Sequence, residues 1–362
     1  MAFNPARLGV ARRRRSLTKR GLAALVGLDE RSIRAFENGE AEPANDTCAR
    51  IAQALEFPLK FFLEQRELVQ ITSAGASFRS LRSMTARQRD AVLAAGTLAF
   101  ELNEYIERRF RLPDADFPDL REAEPEAAAR ALREHWGIGE RPIGNMVHLI
   151  ESKGGRVFSL DREHASVDAF TTWRSGRPFV FLNTLKTAER ARFDVAHELG
   201  HAVLHRHGHP QGRHLEAEAN QFASAFLMPA SKMRPIAPRA PTVERLAELK
   251  KPWGVSVAAL AQRLHNLRLM TDWQHRQIFI ALNRRGRKNE PNPMQRETSS
   301  LLHQVFAALR EKHIPASRVA SELHLTITDL NALIFRLVPT VIPGVASPQR
   351  RGRSADLKLV SS

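Results

Sequence analysis

Two histidines and a glutamate stand close together near the middle of this chain. His197 and His201 are four residues apart, and Glu198 directly follows the first of them. Positions four apart on an α-helix share one face and lie one turn apart, so both imidazoles can reach the same metal ion. This His-Glu-x-x-His pattern is typical of sites in which zinc activates a water and the glutamate takes its proton. The spacing therefore predicts Zn²⁺ on His197 and His201, with Glu198 as the catalytic base.

The residues around the motif favour the helix that it needs. Thr187 is a good N-cap, and apolar residues recur at helical spacing as far as Leu204. Gly208 and Pro210 are predicted to end the helix. Gly200 lowers helix stability, so we expect another element to pack closely against it.

A third metal ligand is expected from the segment between His214 and Pro229, which the pattern predicts as a second helix ended by the proline. Glu216 and Asn220 are four residues apart on it and share a face. Glu216 can bind zinc, and Asn220 can accept the spare ring N–H of a ligand histidine and so fix its tautomer. Glu218 points elsewhere on the same helix and ranks lower.

A further donor for the oxyanion is expected, and the sequence leaves the choice open. His205 is also the alternative third metal ligand, since it extends the histidine series by one turn, but it has drifted around the helix axis and would have to bend back. The only tyrosine, Tyr105, lies outside this region, so a tyrosine donor requires a preceding long helix to fold over the site. The histidines that could serve are His205, His207, His209 and His214.

These residues carry a resemblance to the ImmA/IrrE family of metallo-endopeptidases. The matching stretches are Val-Asp-Ala-Phe at 167–170, the motif and its flanks at 193–205, and Glu-Ala-Glu-Ala-Asn onwards at 216–229. The resemblance covers about residues 130–230. It implies a zincin-like, specifically gluzincin, fold and cleavage of helix-turn-helix repressors. It also implies that the metal ligands and the catalytic glutamate are the residues named above: His197, His201, Glu216 and Glu198.

A second pattern lies near the N-terminus, where residues 5–63 predict five short helices. Thr18 is a good N-cap for the second, and Gly27 makes the turn before the third. Two short helices around a glycine turn form a helix-turn-helix, whose second helix enters the major groove of DNA. The runs Leu-Thr-x-x-x-Leu-Ala-x-x-Val-Gly from residue 17 and Ile-x-x-Phe-Glu-Asn-Gly-x-x-x-Pro from residue 33 resemble the XRE/Cro-like repressor family.

The expected DNA contacts lie on and beside the third of these helices. Arginine can pair bidentately with guanine, whereas flanking polar residues more often hold phosphates. The run Arg12–Arg15 on the first helix adds positive charge. The predicted base-reading residues are Glu30, Arg31 and Arg34, and the predicted phosphate contacts are Lys19 and Asn38.

The whole chain is predicted to be α+β and mostly helical. A long helix from Thr85 to Arg111 can form a lever or a dimer seam, or pack on the peptidase body, which we slightly favour. Three short strands precede the metal helix, and Phe179–Leu182 is the predicted edge that adds a substrate strand. The predicted parts are a five-helix XRE-type domain at 1–67, a helical linker at 68–125, a zinc peptidase core with a small sheet at 126–230, its helical extension at 231–290, a C-terminal helical lobe at 291–340 and a disordered basic tail at 341–362.

Bulk properties agree with an intracellular regulator. The net charge of +16 favours polyanion partners, although it is spread along the chain. One cysteine, Cys48, excludes an internal disulfide framework and fits a reducing compartment. The chain has no apolar run long enough for a bilayer and no signal peptide, so we expect a cytoplasmic protein without membrane contact. Dimers are usual for this class of DNA-binding domain, so a homodimer is left open.

The sequence therefore predicts a DNA-binding transcriptional regulator that carries a zinc-dependent endopeptidase. Its partners would be a double-stranded DNA operator and a repressor-type protein, cut either in trans or in its own chain near residues 65–90. One alternative is a transcription factor whose peptidase-like domain only senses a metal or a ligand. Another is an antitoxin-like regulator that binds a partner protein and its own operator.

Overall fold

The computed structural model describes residues 2–72, 76–78, 84–160, 168–206, 212–286, 289–338 and 358–359. Within these ranges helices predominate over a small sheet, which confirms the α+β, mostly helical class. No helix in the described ranges is long and apolar enough to cross a membrane. The predicted disordered tail at 341–362 lies outside them, apart from two residues near its end.

The N-terminal region forms the five predicted helices. Thr18 caps the second by accepting a hydrogen bond from the Gly21 amide, and Gly27 ends it in the left-handed conformation with φ 66°. Leu22 and Ile33 are fully buried between the helices. The helices are α1 (Pro5–Arg14), α2 (Lys19–Val26), α3 (Glu30–Asn38), α4 (Asn45–Ala54) and α5 (Leu59–Leu63).

The long helix α6 (Ala86–Glu107) is packed into the body of the protein. A capping box between Thr85 and Gln88 begins it. At Gly96 a Cβ would stand 2.5 Å from Ile71 Cδ1, so the glycine lets this side chain pack directly against the helix. Residues 91–103 of α6 are all buried, which supports packing on the peptidase body over a free lever.

A four-stranded sheet covers α6. Its strands are β1 (Ala76–Phe78), β3 (Arg156–Ser159), β4 (Ala169–Arg174) and β5 (Arg177–Leu182), and their spatial order is β1-β4-β5-β3. Strand β5 pairs in parallel with β3 and antiparallel with β4, and β1 pairs antiparallel with the outer side of β4. A separate pair joins β2 (Phe110–Arg111) to β6 (Lys358–Leu359).

The predicted edge strand Phe179–Leu182 is wrong, because β5 lies in the interior of the sheet. Five consecutive buried residues on β5 are typical of a strand paired on both sides. The fourth strand, β1, was not predicted, because it comes from the segment that connects the two domains.

The remaining elements are helical. The proline-containing segment after α10 forms α11 (Ala230–Ile236), in which Pro229 is the N-cap and Pro235 lies inside the helix. A short 3₁₀ turn, Lys251–Trp253, precedes α13 (Val257–Asn266). The helices are α7 (Pro125–His135), α8 (Met146–Ser152), α9 (Ala188–Leu204), α10 (Arg213–Leu227), α11 (Ala230–Ile236), α12 (Val243–Leu249), α13 (Val257–Asn266), α14 (Asp272–Arg285), α15 (Ser300–Glu311), α16 (Ala316–Glu322) and α17 (Ile327–Ile334).

Candidate metal centre and nucleic-acid interface

The metal motif lies on α9, and α10 packs closely against it. Thr187 caps α9 by accepting a hydrogen bond from the Arg190 amide, as predicted. A Cβ on Gly200 would lie 3.1 Å from Phe222 Cδ1 and 3.3 Å from Ala219 Cα. The glycine therefore allows the backbones of the two helices to approach. The predicted helix end at Gly208 and Pro210 lies outside the described residues, and α9 ends at Leu204.

Three predicted ligands meet between these helices. His197 Nε2 and His201 Nε2 are 3.1 Å apart. The carboxylate of Glu216 lies 3.3 Å from the first nitrogen and 3.4 Å from the second. Two imidazoles and one carboxylate are a set of ligands that zinc favours, and three protein ligands leave a position for water or substrate. In the part of the chain that the structure describes, this is the group whose donor atoms are close enough to hold a metal ion, within 4.8 Å of one another.

The outer nitrogen of His197 lies 3.2 Å from Asn220 Oδ1. An amide oxygen only accepts hydrogen bonds, so the ring Nδ1 carries the proton and the lone pair of Nε2 faces the cluster. This arrangement fits a metal ion, and Asn220 occupies the position that the i, i+4 spacing from Glu216 predicts.

His201 is held by a chain of two further groups. Its Nδ1 lies 2.9 Å from His205 Nδ1, and His205 Nε2 lies 2.9 Å from Glu218 Oε2. If His201 Nδ1 donates to His205, then His205 Nε2 donates to the carboxylate, which leaves His201 Nε2 free for a metal. Burial lowers the pKa of His205, although the hydrogen bond to Glu218 opposes this, so the neutral ring that this arrangement needs is favoured.

The sequence reasoning missed this role of His205 and Glu218. His205 was considered as a ligand or an oxyanion donor, and Glu218 as a less favoured ligand. The signal was the four-residue step from His201 to His205, which places the third ring directly behind the second. His207 and His209 lie outside the described residues, and His214 is exposed, 3.9 Å from Glu218. Tyr105 donates to Glu322 and does not reach the centre.

The charge state of Glu216 agrees with a ligand role. Burial by itself raises the pKa of this carboxyl, but hydrogen bonds and charge from His197 and His201 outweigh it and bring the pKa to about 2. The carboxylate is therefore ionised and can coordinate a cation at neutral pH.

Glu198 stands between His197 and His201 in the sequence and is completely buried, as is His197. Its backbone carbonyl accepts a hydrogen bond of 3.4 Å from Thr171 Oγ1 on β4. The proposed base is therefore next to the sheet.

A cavity of about 830 Å³ lies beside the centre, between α9, α10, α13 and α14. Asn220 and Phe193 line it, but His197, His201 and Glu216 do not. The cavity therefore contacts Asn220, which lies beside His197, but it does not contact the three candidate ligands themselves.

The predicted DNA-reading residues lie on the outside of the N-terminal domain. Glu30, Arg31, Arg34 and Asn38 are all exposed on α3. Lys19 is half-buried, and its Nζ lies 3.6 Å from Glu37. Asp29 caps α3 by accepting from the Ser32 amide at 2.6 Å, which also lowers the pKa of its carboxyl.

The basic run Arg12–Arg15 does not share this exposed face. Arg12 donates to both oxygens of Glu37, and Arg13 donates to Gln70. Arg14 and Arg15 pair with Asp329. The guanidinium groups of this run make contacts within the protein, so the positive charge that the sequence predicts for DNA binding at this run is at least partly paired with Glu37 and Asp329.

Comparison with known protein families finds a match for the N-terminal region and another for the region of the candidate metal centre. Residues 10–62 match the helix-turn-helix family model, and residues 150–265 match the model of the IrrE N-terminal-like domain. A search among curated proteins found no match. The chain thus joins two kinds of domain, one of DNA-binding regulators and one of metallopeptidases. It is a fusion of an XRE-type helix-turn-helix domain with an ImmA/IrrE-type peptidase domain.

Proposed function

We propose that this chain is a transcriptional regulator whose peptidase domain is a zinc-dependent endopeptidase that cleaves a repressor-type protein. The observation that carries the proposal is the convergence of His197 Nε2, His201 Nε2 and the carboxylate of Glu216 between α9 and α10. The Nδ1 atoms of both rings have hydrogen-bond partners, Asn220 for His197 and His205 for His201. These contacts argue for a built metal site, since a chance pair of surface histidines has no such partners. The domain boundaries predicted above and the cytoplasmic location are part of this proposal.

Each residue then has a separate task. His197, His201 and Glu216 would hold Zn²⁺, which when bound activates water and polarises a carbonyl. Asn220 and the His205–Glu218 pair keep the ligand rings in the tautomer that exposes Nε2. Glu198 takes the proton of the attacking water and passes it to the leaving amine.

The DNA-binding part of the proposal depends on α3. Arg31 and Arg34 would read base edges in the major groove of an operator, with Glu30 beside them, and Lys19 and Asn38 would hold phosphates. The repressor substrate would be a separate protein or the chain itself near residues 65–90, of which 73–75 and 79–83 lie outside the described residues.

Replacement of Glu198 by Gln tests the peptidase. We expect the purified wild-type protein to contain about one zinc per chain and to cut a helix-turn-helix repressor, seen as new peptide termini by mass spectrometry. Glu198→Gln should keep its zinc and lose cleavage. Wild-type protein without zinc would contradict both the enzyme and the metal-sensing alternative.

The second candidate, a domain that senses a metal without proteolysis, is favoured by one observation. His197 and Glu198 have no exposed surface, so a substrate carbonyl could not contact the base in this arrangement. In that case Glu198→Gln would leave zinc-dependent control of an operator–reporter fusion unchanged. An endopeptidase that acts on its repressor would lose that control.

A further inference from the structure

Strand β4 runs beside the proposed catalytic helix. The side chain of Thr171 reaches the backbone of Glu198, as described above. Further along β4, the ring of Trp173 lies 4.0 Å from the guanidinium carbon of Arg206, which follows α9. The strand therefore follows the part of α9 that carries Glu198 and the ligand histidines.

The outer edge of β4 is covered by β1 of the same chain. The two strands are antiparallel, with Ala76 opposite Thr172, Ser77 opposite Thr171 and Phe78 opposite Phe170. Since the other side of β4 is paired with β5, this outer edge is the side of β4 on which an incoming strand could hydrogen-bond. It is also opposite the residue that touches Glu198.

We propose that β1 occupies the edge at which an extended peptide partner pairs with β4, and that the partner binds by replacing β1. This inference rests on the proposed function, because it assigns the peptide-docking edge of the same site. An extended peptide is the partner that fits, since the edge of β4, once β1 leaves it, would offer backbone donors and acceptors in a fixed register. The complete burial of Glu198 agrees with an arrangement in which the site is closed.

The pairing is suited to exchange. β1 has three residues, so it contributes few hydrogen bonds. Just before it, the chain is attached to α6, where Ile71 is buried and its amide donates to Thr97 Oγ1 at 3.3 Å. This attachment keeps β1 at a high effective concentration near β4, on the order of millimolar for a short connection, so an outside peptide must compete with it.

A disulfide lock tests the exchange. Directly opposite residues on antiparallel strands have Cα atoms about 4.5–5.5 Å apart, within the range of a disulfide. The double variant A76C/T172C would join the strands, and Cys48, the one native cysteine, is buried. The probe is a fluorescent peptide that copies residues 70–84, measured on zinc-loaded full-length protein with Glu198→Gln to prevent its cleavage. We expect the oxidised protein to bind it at least about tenfold more weakly than the reduced protein.

The opposite change is Ser77→Pro, which removes a backbone donor and weakens strand pairing. We expect it to bind the same peptide at least about tenfold more tightly than the parent protein. Ser77→Ala keeps the backbone donor and is the matched control, with affinity close to that of the parent. Equal affinity of the oxidised and reduced forms, or of the proline and alanine variants, would overturn the proposal.

Cleavage is measured separately in proteins that retain Glu198. Peptide binding that is weakened by the disulfide, together with no repressor cleavage by the protein that retains Glu198, would support the docking edge and contradict the peptidase. Repressor cleavage at the same rate in oxidised and reduced A76C/T172C would contradict the docking edge and leave the peptidase intact.

Discussion

Arg15 of the helix-turn-helix domain donates two hydrogen bonds to Asp329 on α17, at 2.7 and 2.8 Å. Arg14 lies 3.5 Å from the same carboxylate, which is almost completely buried. Near the start of α1, the buried Arg7 donates to Glu101 of α6 at 3.1 Å. The DNA-binding domain is therefore docked against both α6 and the C-terminal lobe.

Asp329→Asn should weaken this docking and lower the unfolding free energy by about 2–4 kcal/mol, because it leaves buried positive charge without its partner. Burial raises the pKa of Asp329, but hydrogen bonds and charge from Arg15 outweigh it, so the pKa lies below its ordinary value. The stabilising contribution is therefore present above about pH 4 and is lost as the pH falls through the folded-state pKa. Urea unfolding of wild type and variant between pH 3 and pH 7 measures both effects.

The matched control for Asp329 is Glu248→Gln, in an exposed pair with Lys251. Exposed pairs contribute little, so this variant should unfold like the wild type. An Asp329→Asn protein that also unfolds like the wild type would contradict the proposed docking contact.

Glu218→Gln should lower zinc affinity about 10- to 100-fold, although Glu218 is not a ligand in our proposal. It accepts the hydrogen bond that orients His205 behind His201, and supports of this kind have effects of that size on metal sites. Competition with a chelator measures the dissociation constant. His214→Ala removes an exposed histidine near Glu218 and is the control, since it should leave the affinity unchanged. Equal affinities in all three proteins would rule out the orienting role.

Gly200→Ala should lower both stability and zinc affinity, the latter about tenfold. Alanine gains about 1 kcal/mol in helix propensity, but its methyl group pushes against Ala219 Cα and Phe222, which costs about 1–3 kcal/mol and moves α10 with Glu216. Thermal unfolding and chelator competition measure the two effects. Gly9→Ala on α1 has only ordinary contacts at 3.8 Å or more and should be slightly stabilising. A Gly200→Ala protein that is more stable than the wild type would contradict this prediction, because α9 and α10 could then move apart without loss of stability.

Glu151→Gln should remove a pH dependence of stability near neutrality. Burial raises the pKa of Glu151 to about 7, although hydrogen bonds from Ser299 and from the Ser300 and Leu301 region of α15 oppose it. Because the folded-state pKa is raised, the stabilising contribution is present below pH 4.5 and is lost as the pH rises through 7. The difference in unfolding free energy between wild type and variant should fall by about 3 kcal/mol across that window. Urea unfolding midpoints at several pH values measure it. Parallel pH profiles for the two proteins would contradict this assignment.

Arg31→Ala and Arg34→Ala should each reduce binding to a selected operator by about 1–3 kcal/mol and relax its sequence specificity. Both arginines are exposed on α3, and fluorescence anisotropy at fixed salt measures their effect. Arg310→Ala, on the exposed side of α15, is the control and should bind like the wild type. Equal losses on operator and random DNA would show that the two arginines hold phosphates and do not read bases.

Sequence periodicity alone was enough to predict which residues form the candidate metal centre. The four-residue steps from His197 to His201 and from Glu216 to Asn220 place each pair on one helix face, since helix geometry is local and repeats every 3.6 residues. The same reasoning predicted the five N-terminal helices, the glycine turn before α3 and the Thr187 cap.

Only the tertiary structure decided how these local units meet. Glu216 faces His197 and His201, and Glu218 contacts His205, because α10 packs closely against α9, which Gly200 permits. Strand β5 is central, and β1 covers β4, because strand pairing joins residues far apart in the chain. Arg15 pairs with Asp329 for the same reason, since the two residues are far apart in the chain. Local spacing determines which side chains share a face, but the partner of that face depends on how the whole chain packs.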